Sequence, residues 1–126
     1  MTQIKLPHDH GQATETKLAH MPTGEEFYRI SDMFRLLGDS SRIRIFWLLC
    51  HCEECVINIA AAVQMSSPAV SHHLKLLKAT GLITGRREGK EVYYKAADTP
   101  LALQLHTMIE QMVEITCPGA DHQKAD

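Results

Sequence analysis

Apolar residues recur at helical spacing in five separate segments of the chain. Within each segment they lie three or four residues apart, which places them on one face of a helix. Gly38 ends the first segment, and Pro68 stands near the start of the fourth, where proline is well tolerated. The predicted helices span residues 25–37, 40–50, 56–63, 68–80 and 99–116.

Two short runs between the last two helices favour strands instead. Residues 82–86 and 91–95 flank a polar turn, and the second run contains Val92, Tyr93 and Tyr94. β-branched and aromatic side chains of this kind are enriched in strands. The sequence therefore predicts a mainly α fold with one small β-hairpin.

The order helix, short turn, helix and basic hairpin is typical of a winged helix-turn-helix. In that fold the second helix enters the major groove of DNA, and its N-terminal residues lie nearest the bases. Short hydroxyl groups and longer donors stand at this end, and three basic side chains stand in the predicted wing, where they would hold phosphates. The predicted DNA contacts are Ser66, Ser67, Ser71, His72, Lys75, Arg86, Arg87 and Lys90.

Charge distribution supports this interpretation more than net charge does. The chain carries a net charge of −2, which alone argues against nucleic acid. Residues 66–95, however, hold six basic and two acidic side chains, whereas residues 96–126 hold one basic and five acidic ones. Such asymmetry indicates a local anion-binding face. Chance clustering of solvated charge on a helical domain is the alternative.

Length and composition indicate one soluble domain. With 126 residues, 44% of them hydrophobic, the chain can bury one modest core. We expect a polar tail over residues 1–22, a domain over residues 23–117 and a second tail over residues 118–126. Neither a secretory signal nor a membrane-spanning run is apparent, so we expect a cytoplasmic protein whose four cysteines are thiols or metal ligands.

Three cysteines lie within six residues at the end of the second predicted helix. Cys50, Cys52 and Cys55 offer soft thiolate ligands that suit As(III), Cd(II), Pb(II) or Zn(II). His51 offers a nitrogen beside them. The alternative is that Cys50 only packs in the core, because free cysteine is commonly buried. Further ligands could come from the tails, which contain His8, His10 and Cys117.

Residues 33–95 resemble the ArsR/SmtB family of bacterial repressors. The resemblance lies in FRLLGDSSRIRI at residues 34–45, SPAVSHHLKLLK at residues 67–78 and RREGKEVYY at residues 86–94. It departs from the family at Ser67, where glutamine is frequent. The resemblance implies a homodimer formed through the first and last helices. It also implies binding to an operator palindrome and release by a metal or metalloid ion.

Two metal sites known in the family are incomplete in this sequence. The cysteine-valine-cysteine segment of thiol-sensing members becomes Cys55-Val56-Ile57, so Cys50 and Cys52 would have to replace the missing ligand. A second site, between the last helices, would fall at Asp98, Pro100, Gln111 and Glu114. Two of those four residues cannot serve as the expected ligands, so we expect that site to be absent.

Three interpretations of the cysteines and histidines remain open. The first is a repressor released by a thiophilic ion, and the second is a repressor of the same fold released by oxidation or persulfidation of the thiols. The third is an enzyme with a cysteine nucleophile, but no orienting group or oxyanion loop is evident, so we expect no catalysis. His106 and Glu110 share one face of the last helix, and we interpret them as a surface pair.

Overall fold

The computed structural model describes residues 4–119 of the chain. They form two compact units, one ending at Phe34 and the other beginning at Arg35. A five-residue helix without buried residues, Thr14–Leu18, lies inside the expected N-terminal tail. Residues 120–126 of the expected C-terminal tail lie outside the described residues. The proposed domain limits stay a prediction.

The five predicted helices are confirmed to within two residues at each end. Asp39, Ser66 and Thr99 each precede a helix and accept a hydrogen bond from a backbone N–H in its first turn. These caps satisfy donors that have no partner within the helix. The helices described between residues 4 and 119 are α1 (Thr14–Leu18), α2 (Gly24–Leu36), α3 (Ser40–His51), α4 (Val56–Val63), α5 (Ser67–Ala79) and α6 (Pro100–Thr116).

The sheet contains the predicted hairpin and one strand that was not predicted. Strands β2 (Ile83–Glu88) and β3 (Glu91–Ala96) pair antiparallel around a two-residue turn. Gly89 opens the turn with a φ of 65°, a conformation that glycine adopts without steric cost. The added strand, β1 (Glu54–Cys55), pairs with the other edge of β3, giving the order β1-β3-β2.

The core lies between α3, α4, α5 and the base of the hairpin. The predicted stripe of α5 is confirmed, because Val70, His73, Leu74 and Leu77 are all buried. The other large, fully buried side chains come from α3, from α4 and from the residues at the base of the hairpin. The largest fully buried side chains are Phe46, Ile45, Ile59, Leu74, Leu77, Leu82, Ile83 and Val70. This arrangement confirms the winged helix-turn-helix.

Large apolar side chains on α2 and α6 remain exposed. On α2, Phe27, Ile30 and Phe34 are between 45% and 63% exposed, although their spacing predicts one apolar face. On α6, Met112 and Ile115 are 54% and 74% exposed. Among the residues that the structure describes, each of these faces is therefore left uncovered by its own unit. None of the helices described between residues 4 and 119 is long and apolar enough to span a membrane.

Candidate nucleic-acid interface and sensor residues

A sharp turn between α4 and α5 sets the direction of α5. Gln64 ends α4 in the left-handed conformation, with a φ of 57°, and its N–H donates to the carbonyl of Ala60. Ser66 then starts α5 by accepting a hydrogen bond of 3.2 Å from the N–H of Ala69. The end of α4 and the start of α5 are each fixed by a hydrogen bond within this segment. The short turn between them therefore holds the two helices in the helix-turn-helix arrangement.

The predicted contact residues of α5 lie on its solvent-facing side. Ser66, Ser71, His72 and Lys75 are exposed, and Ser67 is half-buried. Residues 71, 72 and 75 fall within about one helical turn, so their side chains leave the helix on neighbouring faces. The N-terminal half of α5 therefore presents hydroxyl, imidazole and ammonium groups together.

His73 faces the opposite way and anchors α5 to α3. Its Nδ1 accepts a hydrogen bond of 3.2 Å from Nε of Arg42, and Nη1 of Arg42 donates to the carbonyl of Leu36 at 2.6 Å. Burial lowers the pKa of His73 below its usual value, and the nearby charge of Asp39 partly opposes that effect. The neutral ring therefore acts as an acceptor within the core.

The three basic side chains of the wing are exposed, but they are not equivalent. Arg86 donates from Nε and Nη2 to the two carboxylate oxygens of Glu53, at 2.9 and 3.1 Å, and also pairs with Glu88. These carboxylates raise its pKa. Its guanidinium also lies 5.1 Å from the ring centre of Tyr93. Arg86 therefore connects the wing to residues 50–55, which contain three cysteines and are called the cysteine segment below.

Arg87 and Lys90 stand at the tip of the wing. Both are exposed, and Nη1 of Arg87 donates to the carbonyl of Gly89 at 3.5 Å. Their charges therefore face solvent. Contact of Arg86, Arg87 and Lys90 with DNA phosphates stays a prediction.

The three candidate ligand cysteines occupy different environments. Cys50 is half-buried, and burial together with the charge of Glu110 raises its pKa to about 11. Cys52 ends α3 and donates its S–H to the carbonyl of Leu48 at 3.3 Å; burial, with a contribution from Glu54, raises its pKa as well. Cys55 is buried in β1. Raised pKa values favour the thiol over the metal-binding thiolate.

The cysteines do not converge into one ligand group. Between residues 4 and 119, the group of three potential ligands whose atoms lie within 4.8 Å of one another consists of His51, His106 and Glu110. The backbone explains the separation, because Cys50 is still helical whereas Cys55 is fixed in a strand. Metal binding by Cys50, Cys52 and Cys55 stays a prediction.

Sequence reasoning did not reveal that His51 lies beside His106 and Glu110. The pairing of His106 with Glu110 was visible from their spacing of four residues, and their side chains are indeed 3.2 Å apart. His51 lies 55 residues from His106 in the sequence, so no local pattern joins them. Only the packing of α3 against α6 brings the three together.

The remaining candidate ligands stand apart from this group. The rings of His8 and His10 stack with their centres 5.9 Å apart, in the unit that ends at Phe34. Cys117 is exposed at the end of α6. Neither observation assigns these residues to a metal site.

Comparison with known proteins places this geometry in a family. The profile of the arsR family of bacterial regulatory proteins matches residues 39–84. The chain is 36% identical over 87 residues to a cadmium resistance transcriptional regulatory protein, CadC, of Listeria innocua, covering 68% of this chain and 70% of the relative. It is 39% identical over 74 residues to a transcriptional repressor SmtB homolog of Synechocystis, covering 59% of this chain.

A solved structure shows the same fold. It is the homodimeric winged helix-turn-helix DNA-binding domain of a protein from Mycobacterium bovis, with a TM-score of 0.63 and 25% identity, covering 82% of this chain and 97% of that domain. The chain spans just over half, 56%, of the length of the Synechocystis relative. The match to the profile includes the α4–turn–α5 segment. This chain belongs to the ArsR family of bacterial regulatory proteins.

Proposed function

We propose that this chain is a transcriptional repressor that binds double-stranded DNA as a homodimer. The observation that carries the proposal is that the N-terminal half of α5 and the wing tip both expose polar and basic side chains to solvent. Ser71, His72 and Lys75 are exposed on α5, and Arg87 and Lys90 are exposed on the wing. The helix would enter the major groove, and the wing would contact the backbone.

A second copy of the chain fits the exposed apolar faces of α2 and α6. Burial of such faces is the main favourable contribution to association. The Mycobacterium bovis domain with this fold is homodimeric, which supports the same assembly here. In a symmetric dimer, two α5 helices would reach successive major grooves when they lie about 34 Å apart.

For the effector, we propose a thiophilic metal or metalloid ion bound by Cys50, Cys52 and Cys55. The name of the Listeria relative links that protein to cadmium resistance. Binding would require the raised pKa values of Cys50 and Cys52 to be overcome by the ion, which displaces the protons. A thiol switch operated by oxidation or persulfidation is the second candidate, supported by the same free thiols.

The cysteine segment has a direct route to the DNA-binding surface. Cys55 pairs with Tyr93 in the sheet, and Glu53 forms the two hydrogen bonds with Arg86. A change of backbone conformation between residues 50 and 55 would therefore move the wing. A coupling of about 1–3 kcal/mol would weaken DNA binding by about 5–150-fold.

DNA binding can be tested without knowledge of the operator. A duplex is selected from a randomised pool with the full-length chain, and its affinity is then measured as a function of salt concentration. Because each phosphate contact contributes about 0.9 to the salt slope, Arg87→Ala is expected to lower the slope by about 2 per dimer. Arg86→Ala, the matched control, is expected to change it less, since Arg86 is already paired with two carboxylates.

Failure of the selection to enrich any duplex would contradict the proposed DNA binding. The effector is tested with the selected duplex and a panel of As(III), Cd(II), Pb(II) and Zn(II), alongside a thiol oxidant. Release by one of these agents should be lost when Cys52→Ser and Cys55→Ser are combined. Unchanged release in the double variant would contradict both effector proposals.

A further inference from the structure

The contact between α3 and α6 contains a cluster of polar side chains outside the cysteine segment. His51 and His106 bring their Nε2 atoms to 3.1 Å from each other. Oε1 of Glu110 lies 3.2 Å from Nε2 of His106 and 3.4 Å from Nε2 of His51. Three potential ligand atoms therefore form a nearly equilateral triangle.

Hydrogen bonding alone accounts for at most two sides of this triangle. A neutral imidazole nitrogen is either a donor or an acceptor. If Nε2 of His106 carries the proton, it can donate toward Glu110 or toward His51, but the contact between Glu110 and His51 then has no hydrogen. If both Nε2 atoms carry protons, both can donate to Oε1 of Glu110, and no hydrogen then lies between the two nitrogens, which are 3.1 Å apart. A cation at the centre accepts all three lone pairs at once.

The spacing matches a tetrahedral metal site. Nitrogen and oxygen ligands lie about 2.0–2.1 Å from Zn(II), so two ligands of a tetrahedral ion are about 3.3 Å apart. The three observed distances of 3.1, 3.2 and 3.4 Å lie on both sides of this value. Two imidazoles and one carboxylate are also a ligand set that Zn(II) uses in proteins, with a water in the fourth position.

Trp47 orients the cluster from one side. Its Nε1 donates a hydrogen bond of 2.8 Å to the same Oε1 of Glu110, and its ring lies 4.2 Å from the ring of His51. Outer contacts of this kind fix the direction of ligand side chains and raise metal affinity. His106 also lines a cavity of about 300 Å³ together with Cys50 and Cys52.

We propose that His51, His106 and Glu110 bind one divalent transition-metal ion of the Zn(II) type per chain, between α3 and α6. Its ligand atoms are nitrogen and oxygen, and none of them belongs to the cysteines proposed as effector ligands. An ion there ties α6 to the helix that precedes the helix-turn-helix. Any effect of the ion on DNA would rest on the proposed function, but its binding does not.

The test titrates the metal-free, full-length chain with Co(II) as a spectroscopic substitute for Zn(II), in the absence of DNA. Trp47 is the single tryptophan of the sequence, so quenching of its fluorescence by Co(II) reports binding at the cluster. We expect one Co(II) per chain, quenched fluorescence and an absorption spectrum without thiolate-to-cobalt charge transfer. Zn(II) added afterwards should displace Co(II) and restore the fluorescence.

Two single variants test the ligands separately. His106→Gln removes a nitrogen ligand, and Glu110→Gln removes the charge while keeping an acceptor for Trp47. Each is expected to weaken Co(II) binding at least about 10-fold. Both positions are partly solvent-exposed, at 27% and 48% of the side chain, so the fold should tolerate both changes.

Matched controls identify binding elsewhere. His72→Gln changes an exposed histidine of α5, and the pair His8→Gln with His10→Gln removes two of the three imidazoles of residues 1–22. Neither should change the affinity. The inference is wrong if His106→Gln and Glu110→Gln bind Co(II) as tightly as the unaltered chain. It is also wrong if the spectrum shows thiolate charge transfer that Cys50→Ser or Cys52→Ser removes.

Discussion

At the scale of single residues, neighbouring side chains of the same chemical type occupy different environments. His72 and His73 are adjacent, yet one is exposed at the proposed DNA surface and the other is buried against Arg42. The helical period predicted this difference, because residue 73 falls on the apolar stripe of α5. Arg86 and Arg87 differ just as much, but their difference follows from Glu53, which is 33 residues away from Arg86. Sequence patterns do not reveal such a partner.

The burial of His73 predicts a pH dependence of stability. Burial lowers its pKa in the folded chain, whereas the unfolded value is about 6.5. Between those two values the unfolded chain binds more protons, so the free energy of unfolding rises with pH through this window. We therefore expect stability to fall as pH decreases through about 6.5, because protonation breaks the hydrogen bond from Arg42.

Urea unfolding between pH 5.5 and pH 8 measures this effect. His73→Asn keeps an acceptor near the position of Nδ1 but cannot titrate, so its stability should vary less with pH over that range. His72→Asn, at the exposed neighbouring position, should retain the pH dependence of the unaltered chain. Equal pH dependence in all three proteins would show that His73 is not the titrating group. Asp39 and Glu110, whose pKa values are lowered, contribute only in a more acidic window.

At the scale of elements, the helices and the hairpin were predictable because their signals are local. Apolar periodicity defined each helix, and the glycine turn between β2 and β3 defined the wing. Strand β1 was not predictable, since its two residues are extended only because they pair with Tyr93 and Tyr94. The cluster of His51, His106 and Glu110 was missed for the same reason. Both features depend on contacts between residues distant in the sequence.

The N-terminal cap of α5 gives a prediction at this scale. The hydroxyl of Ser66 accepts the hydrogen bond from Ala69, so Ser66→Ala should lower the free energy of unfolding by about 1 kcal/mol. Ser66→Asn restores a capping acceptor and should recover most of that loss. Chemical unfolding of the two variants measures the difference. Equal loss in both would show that the cap does not stabilise the start of this helix.

At the scale of the whole molecule, α6 combines two surfaces. Its inner side contributes Ala102 and Leu105 to the core, while its apolar seam continues outward through Leu101, Met112 and Ile115. The sequence predicted the seam from its steps of four and three residues. The sequence did not show which part of the seam packs within the chain and which part is left exposed. Apolar periodicity is the same whether a helix face packs against its own chain or against another one.

The proposed dimer depends on the outward part of that seam. Met112→Glu combined with Ile115→Glu places two carboxylates where apolar surface would be buried, and burial of an unpaired charge is strongly unfavourable. We expect the double variant to sediment as a monomer while keeping its circular dichroism spectrum, because both side chains are more than half exposed. Thr107→Glu, an exposed position of α6 away from the seam, should remain dimeric.

Loss of the dimer should also weaken DNA binding. One recognition helix makes half of the base contacts, and the linkage of two binding modules raises overall affinity by about 10² to 10⁴-fold. The double variant should therefore bind the selected duplex more weakly by a factor in that range. Its salt slope should be about half that of the unaltered chain, because a monomer contacts half the phosphates. If the variant is monomeric but binds DNA with unchanged affinity and slope, the two α5 helices do not act together. If it remains dimeric, the interface lies on another face of the molecule.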